Sequence, residues 1–191
     1  MTFHEFLLQR QAVCDEELCN LFGYMTAGKT TVAEELKNRI PGLYTVDYDV
    51  MKRQIAGYDR ERSRYRVIAE QLTVSFLHTV LEETQLPVLV MLPLPDSINT
   101  YQHRWEHITE PVLNVKITAP EHVLQERFQT RLQNLARKGV PAVEFPDPSH
   151  FRDHLHQNWY EPSGTIVYDS SVFTAEHIVA DILNQVDGSV R

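Results

Sequence analysis

Residues 23–30 read Gly23-Tyr24-Met25-Thr26-Ala27-Gly28-Lys29-Thr30, which matches the pattern G-x-x-x-x-G-K-T at every position. The two glycines let the backbone curl so that successive N–H groups converge on phosphate oxygens. Lys29 supplies a positive charge for the β- and γ-phosphates, and the Thr30 hydroxyl is placed to ligate Mg²⁺. This stretch, the phosphate loop, therefore predicts a bound nucleoside triphosphate, with Thr31 as the last nucleotide-binding residue.

The flanking sequence supports a strand, a loop and a helix in that order. Leu18–Phe22 is a short, mostly apolar run that suits a buried parallel strand. Downstream, the stretch 31–40 has apolar residues at helical spacing, and Pro41-Gly42 ends it. A helix that begins at the phosphate loop adds the partial positive charge of its N-terminus to the anion site. The alternative is an ordinary strand–helix turn that contains Gly-Lys-Thr by chance.

The same alternation continues along the chain and predicts an α/β fold. Apolar runs indicate strands at 19–23, 43–47, 87–92, 112–118 and 165–169. Helical patterns lie at 29–39, 61–84, 97–108, 121–138, 149–159 and 174–186, with a short helical leader within residues 1–17. Alternating strands and helices predict a doubly wound parallel five-stranded sheet, with ligands beyond the carboxyl ends of its strands. In the helix over 61–84 we expect one apolar stripe to face the core: Val67, Ile68, Leu72, Phe76, Leu77, Val80 and Leu81.

Length, composition and charge limit the number of domains and the kinds of partner that the protein can have. A chain of 191 residues suits a single domain, residues 1–191, with one well-filled core. The net charge of −8 argues against long nucleic acid as a partner. Cys14 and Cys19 make no disulfide framework. The first residues lack a signal-peptide pattern, and no apolar run approaches the roughly 18 residues that span a bilayer. We therefore expect a cytoplasmic protein without a membrane partner.

Two carboxylates follow the second predicted strand, in the stretch Asp47-Tyr48-Asp49. A phosphotransferase needs a proton acceptor that orients the attacking hydroxyl against the γ-phosphate. Asp49 is the first candidate for this catalytic role, and Asp47 is a second, substrate-binding candidate. Both could instead cap the helix that follows. Lys52 is the expected contact with the substrate, and the cations that follow it up to residue 66 are consistent with either an anionic substrate or a solvated helix face.

A pair of arginines follows the fourth predicted strand. Arg127 and Arg131 are four residues apart and so share one helical face. Two forked cations on one face suit the charge of a transferring phosphoryl group, and we assign both a catalytic role. With the stretch 139–148, which is typical of a mobile loop, they predict a lid over residues 121–148 that excludes water. The alternative is a set of surface arginines paired with Glu121 or Glu126.

These residues together resemble the P-loop kinases of the nucleoside/nucleotide-kinase fold. The resemblance is to the group that includes polynucleotide 5′-hydroxyl kinases, zeta toxins and chloramphenicol phosphotransferases, and it spans roughly residues 19–186. It implies that Asp49 assists the acceptor hydroxyl, that Lys52 contacts the acceptor, and that Arg127 and Arg131 are lid arginines. It also implies that the stretch 168–171 borders the adenine.

The end of the third strand departs from that pattern. Many relatives have an aspartate there near the metal, whereas this chain reads Met91-Leu92-Pro93-Leu94-Pro95 and its first acid is Asp96. Either Asp96 reaches back through a water, or Thr30 and the phosphates hold Mg²⁺ almost alone.

The function that these patterns favour is an ATP-dependent kinase that uses Mg²⁺. It would move the γ-phosphate to a hydroxyl of a small-molecule or nucleoside/nucleotide-type acceptor. A nucleotide-binding regulatory or toxin-like module with weak or no turnover is the alternative, because the third strand ends without an acid. A GTP switch would need an N-K-x-D motif and a D-x-x-G motif, and the sequence contains neither.

Overall fold

The computed structural model of the protein describes residues 18–57, 63–84, 86–106, 108, 112–139 and 148–188. The predicted leader helix, most of the predicted lid loop, and Arg60 and Arg62 of the basic segment lie outside these residues. Within the described residues there is no helix long and apolar enough to cross a membrane.

Five parallel strands form one sheet, in the order β2-β3-β1-β4-β5. The strands are β1 Leu18–Gly23, β2 Tyr44–Asp47, β3 Val88–Met91, β4 Val112–Thr118 and β5 Ile166–Asp169. The helices are α1 Lys29–Arg39, α2 Tyr48–Arg53, α3 Ser63–Glu83, α4 Ile98–Trp105, α5 Glu121–Arg137, α6 Pro148–His156 and α7 Ala175–Gly188. The predicted α/β fold with a parallel five-stranded sheet is therefore confirmed. The short helix α2 is not among the predicted helix ranges, although the capping alternative for Asp47 and Asp49 assumed a helix there.

The core consists of two apolar clusters. The larger cluster packs α1, α5, α6 and α7 against the sheet, and its members include Leu21, Leu36, Phe128, Phe151 and Ile182. The smaller cluster packs α3 against β2 and β3, around Val46, Leu77 and Val90. The sheet is covered on both faces, and this explains why Val88–Met91 is apolar at every position.

The predicted core stripe of α3 is wrong at two positions. Val67 and Leu72 are 53% and 47% exposed. The inward stripe instead runs through Ala69, Thr73 and Leu77, at intervals of four residues. Thr73 is fully buried, and its hydroxyl donates to Ala69 O at 2.7 Å. Because this bond satisfies the hydroxyl inside the helix, burial of the threonine costs little. A prediction based on apolar residues alone passes over a threonine that serves as a core residue.

A buried polar chain connects the sheet to α4. Asn20 on β1 lies opposite Asn114 on β4, and its Nδ2 donates to Asn114 Oδ1 at 2.9 Å. Asn114 Nδ2 in turn donates to the Tyr101 hydroxyl of α4 at 2.8 Å. Because buried amides are costly unless they are hydrogen-bonded, this chain holds α4 in a defined position on the sheet. That position matters for the site, since α4 also carries Arg104.

Candidate functional site

The phosphate loop begins where β1 passes close to β4. Gly23 has φ +141°, and a Cβ atom there would lie 2.0 Å from Ile117 O, so only glycine fits. Gly28 adopts the left-handed conformation, with φ +100°, directly before α1. Thr26 has φ +65°, a strained conformation for a β-branched residue. Its hydroxyl donates to Met25 O at 2.6 Å and to Leu124 O of α5 at 3.1 Å, and these bonds offset part of the strain.

Lys29 lies at the centre of the loop. Its Nζ donates to Gly23 O at 2.9 Å and to Tyr24 O at 2.8 Å. Burial lowers the pKa of Lys29 to about 8, although the nearby carboxylates of Asp49 and Asp47 oppose the shift. The ammonium group is thus half-buried beside the cavity, where its attraction to a polyanion is screened less than at the open surface.

The end of β2 brings both predicted carboxylates to the loop. Asp47 Oδ1 accepts the backbone N–H of Asp49 at 2.7 Å, so Asp47 caps α2. Burial raises the pKa of Asp47, and the Asp49 N–H bond opposes that shift. The Asp49 carboxylate is 48% exposed and accepts from Lys52 Nζ at 2.7 Å. The capping alternative therefore applies to Asp47, whereas Asp49 keeps an accessible carboxylate.

One cavity of about 440 Å³ contains most of the predicted site. Its lining joins the phosphate loop and its helix to the end of β2, through Gly23, Met25, Thr26, Gly28, Lys29, Thr30, Thr31, Asp47, Asp49 and Lys52. Arg131 of α5 also lines it, and its role as a lid residue stays a prediction. Tyr24, Ala27 and Arg127 do not line this cavity.

Arg127 makes its contacts with Ser170 and the phosphate loop. Its Nη1 donates to Ser170 Oγ at 2.8 Å, and its Nη2 donates to Ser170 O at 3.0 Å. A longer bond of 3.4 Å joins Nη1 to Thr26 O. Arg127 therefore connects the phosphate loop to the turn after β5 and is not paired with Glu121 or Glu126. Its contact with a transferring phosphoryl group stays a prediction.

The segment between β3 and Asp96 has no acid, and its backbone carbonyls accept hydrogen bonds from neighbouring parts of the chain. Pro93 O accepts from Arg104 Nη1 at 2.8 Å, and Pro95 O accepts from the backbone N–H of Tyr160 at 2.9 Å. Asp96 lines the cavity, but its Oδ1 accepts from Thr100 Oγ1 at 2.5 Å. This hydrogen bond is the main reason that the pKa of Asp96 is lowered. One carboxylate oxygen of Asp96 is thus occupied by a residue in the first turn of α4.

Sequence reasoning missed two charged residues of the cavity. Arg104 is only 4% exposed, and its Nε donates to Glu70 Oε1 at 2.6 Å. Both residues line the cavity, together with Arg66, His154 and Trp159. Glu70 and Arg104 are 34 positions apart and belong to no motif, so no signal in the sequence could have paired them. Arg66 belongs to the basic segment that follows Lys52, and the sequence is equally consistent with a solvent-exposed helix face for that segment.

The oxygen donors of the cavity fit a magnesium ion in part. No cluster of three or more His, Cys, Asp or Glu side chains arranged for a metal occurs in the described part of the chain. Thr30 and Asp47 nevertheless offer a hydroxyl and a carboxylate beside the phosphate loop. Magnesium takes few protein ligands and keeps its remaining positions for water and phosphate oxygens, so this sparse set is compatible with it.

A parallel sheet with a phosphate loop after its central strand, and with acids at the end of the edge strand β2, defines the fold of the P-loop kinases of the nucleoside/nucleotide-kinase type. The sequence matches the AAA domain over residues 18–145, which is about two thirds of the chain. The protein therefore belongs to that P-loop family. No curated protein matches the sequence.

Solved structures share the fold at low identity. A candidate kinase from Chloroflexus aurantiacus superposes with a TM-score of 0.70 at 18% identity, over 90% of this chain and 98% of that one. A gluconokinase from Sinorhizobium meliloti gives 0.57 at 17% identity, over 90% and 92%. Shikimate kinase from Acinetobacter baumannii, in complex with shikimate, gives 0.59 at 19% identity, over 94% and 97%. At this level of identity the similarity establishes the fold alone.

Proposed function

We propose that the protein is an ATP-dependent phosphotransferase that moves the γ-phosphate to a hydroxyl of a small acceptor. One observation carries the proposal. Lys29 of the phosphate loop and Asp49 after β2 line the same cavity, although they come from different elements. A cation for the phosphates and an accessible carboxylate for the acceptor are the two groups that phosphoryl transfer to a hydroxyl needs. Structural neighbours named as kinases support the same class.

On the nucleotide side, the chain binds and orients the triphosphate. The N–H groups of the phosphate loop and the N-terminus of α1 bind the phosphate oxygens, and Lys29 exchanges its bonds to loop carbonyls for bonds to phosphates. Thr30 and Asp47 would hold the magnesium ion, which neutralises charge on the β- and γ-phosphates when bound. Arg131 faces the same space and adds positive charge where the γ-phosphate would lie.

On the acceptor side, Asp49 orients the attacking hydroxyl and accepts its proton. Lys52 holds the Asp49 carboxylate at 2.7 Å and so limits the directions in which it can point. The apolar side chains of Met91, Leu92 and Leu94 line the cavity beside them and restrict water. Restriction of water matters because water would otherwise compete with the acceptor for the phosphoryl group.

The second candidate is a nucleotide-binding module with weak or no turnover. It is favoured by the end of β3, where backbone carbonyls occupy the place of an acid and Asp96 is bound to Thr100. Such a protein would bind Mg²⁺·ATP without transferring the phosphoryl group efficiently.

The test is ADP release from Mg²⁺·ATP across nucleosides, sugars, polyols, antibiotics and 5′-hydroxyl oligonucleotides. We expect at least one compound to raise ADP release well above the acceptor-free background, with a phosphorylated product visible by ³¹P NMR. The same reactions without acceptor measure simple ATP hydrolysis. Tight ATP binding with no acceptor-dependent release across the panel would favour the second candidate.

The lowered pKa of Lys29 makes a prediction about pH. Bound phosphates favour the charged ammonium, so nucleotide binding above pH 8 requires uptake of a proton. Affinity for Mg²⁺·ATP should therefore be constant below about pH 7 and should fall by up to about tenfold per pH unit above 8. Calorimetry in two buffers of different ionisation enthalpy measures both the affinity and the proton uptake. A flat profile to pH 9.5 would contradict the role of Lys29.

A further inference from the structure

The cavity that contains Asp49 is also lined by charged residues of α3 and α4. Arg66 and Glu70 are four residues apart on α3 and so face the same direction, and Arg104 of α4 meets Glu70. These three residues, together with the carboxylate of Asp96, form what we name the acceptor end. None of them was assigned a role in the transfer step.

The Glu70–Arg104 pair has unused hydrogen-bonding capacity. Arg104 uses Nε and Nη1 for Glu70 Oε1 and Pro93 O. Its Nη2 and the Oε2 of Glu70 make no hydrogen bond to the described residues, although both side chains line the cavity. Nη2 is not among the buried atoms of the described residues that lack a partner, so it is accessible from the cavity, where a ligand group can take the place of water as its acceptor. The pair thus offers one donor and one acceptor to the same ligand.

The charges of the acceptor end, taken together with those of Asp49 and Lys52, are balanced. Arg104 is paired with Glu70 at 2.6 Å, and Lys52 is paired with Asp49 at 2.7 Å. Arg66 and Asp96 add one further charge of each sign. A negatively charged acceptor would therefore meet three carboxylates as well as three cations, and would gain little net attraction while losing its hydration. A hydroxyl group both donates and accepts, so it can satisfy Glu70 and Arg104 without bringing a charge.

We propose that the acceptor is an uncharged molecule with several hydroxyl groups, and that the Glu70–Arg104 pair binds a neighbouring pair of them while Asp49 receives the hydroxyl that reacts. The statement that one hydroxyl receives the phosphoryl group rests on the proposed function. The statement that the molecule binds at the Glu70–Arg104 pair does not. Trp159 adds a second element. Trp159 lines the cavity and its Nε1 donates to His154 O at 3.1 Å, so the indole ring has apolar contact to offer a ligand, which suits the C–H face of a ring-shaped polyol.

Binding is tested with matched uncharged and acidic probes on the full chain saturated with Mg²⁺ and a non-hydrolysable ATP analogue. The probe pairs are glucitol with gluconate, glucose with glucuronate, and myo-inositol with inositol phosphate, each titrated to 20 mM by calorimetry and thermal shift. We expect at least one uncharged probe to bind saturably and about tenfold more tightly than its acid. No saturable response to any uncharged probe, or tighter binding of the acids, would overturn the proposal.

The variant Glu70→Gln separates a binding role from a structural one. Glutamine keeps an oxygen for Arg104 Nε but removes the negative charge. We expect affinity for the uncharged probe to fall about tenfold and the discrimination against its acid to disappear. The matched control is Glu82→Gln, an exposed acid on the same helix that does not line the cavity. An unchanged ratio of affinities in Glu70→Gln overturns the role of the pair.

Trp159→Leu provides a second test should Glu70→Gln lower the melting temperature. This variant should weaken myo-inositol and glucose more than the open-chain glucitol. Equal weakening of cyclic and open-chain probes argues against a ring contact and for loss of structure. Saturable probe binding without any ADP release would reject the proposed function and leave this inference standing.

Discussion

Lys29→Ala is expected to weaken the binding of Mg²⁺·ATP at least a hundredfold and to reduce phosphoryl transfer to background. Charge-assisted bonds from one ammonium to two phosphates contribute about 3 kcal/mol or more, which corresponds to a factor of more than a hundred in the dissociation constant. The loss should not come from unfolding. Burial lowers the pKa of Lys29, so its charge is not a source of stability in the empty protein.

The matched control for this prediction is Lys37→Ala. Lys37 lies on the same helix, and its Nζ pairs with Glu34 at 2.9 Å on an exposed surface. Exposed pairs of this kind contribute about 0–1 kcal/mol, so nucleotide affinity should match that of the unaltered protein. Calorimetry with the ATP analogue gives the affinity, and circular dichroism checks the fold. Equal ATP affinity in Lys29→Ala and Lys37→Ala would remove the basis for the nucleotide site.

Asp49→Asn is the second large effect. The substitution keeps the size of the side chain but removes the proton acceptor, and a positioned general base typically contributes a factor of about 10²–10⁴. We expect kcat to fall by roughly that factor while the dissociation constant for Mg²⁺·ATP changes less than about threefold. Initial rates of ADP release with the acceptor identified by the panel measure the first quantity, and calorimetry measures the second.

Two neighbouring aspartates show whether the effect is specific. Asp96→Asn removes another carboxylate of the same cavity, but one whose oxygen is occupied by Thr100, so kcat should fall much less. Asp47→Asn removes the cap of α2 and should lower stability as well as activity, because it loses the bond from the Asp49 N–H. A larger fall in kcat for Asp47→Asn than for Asp49→Asn, at unchanged stability and with an unchanged dependence of the rate on magnesium concentration, would assign the proton acceptor to Asp47.

The sequence predicted the parts of the fold that depend on local patterns. A glycine loop between an apolar run and a helical stripe is a local signal, and the structure has β1, the loop and α1 in that order. Four further apolar runs correspond to β2–β5 within one or two residues at each end. The carboxylates after β2 were predicted to reach the loop because parallel strands present their carboxyl ends at one edge of the sheet.

The acceptor end could not be predicted, because it depends on contacts between distant parts of the chain. Glu70 and Arg104 become partners only after α3 and α4 pack beside β3. The position of α4 depends in turn on the polar chain from Asn20 through Asn114 to Tyr101. Arg127 also has a partner that the sequence does not reveal. Its spacing from Arg131 was read correctly as one helical face, but its partner Ser170 lies 43 residues away.

The two carbonyls at the end of β3 have a consequence for how this protein could change over time. Pro93 O and Pro95 O hold Arg104 and the chain at Tyr160 through main-chain atoms, which every residue type supplies. Mutations that alter the side chains of this segment therefore leave its attachment points in place. Natural drift, or a directed-evolution library built at positions 93 and 94, can reshape the neighbouring pocket toward new molecules while the frame around it persists.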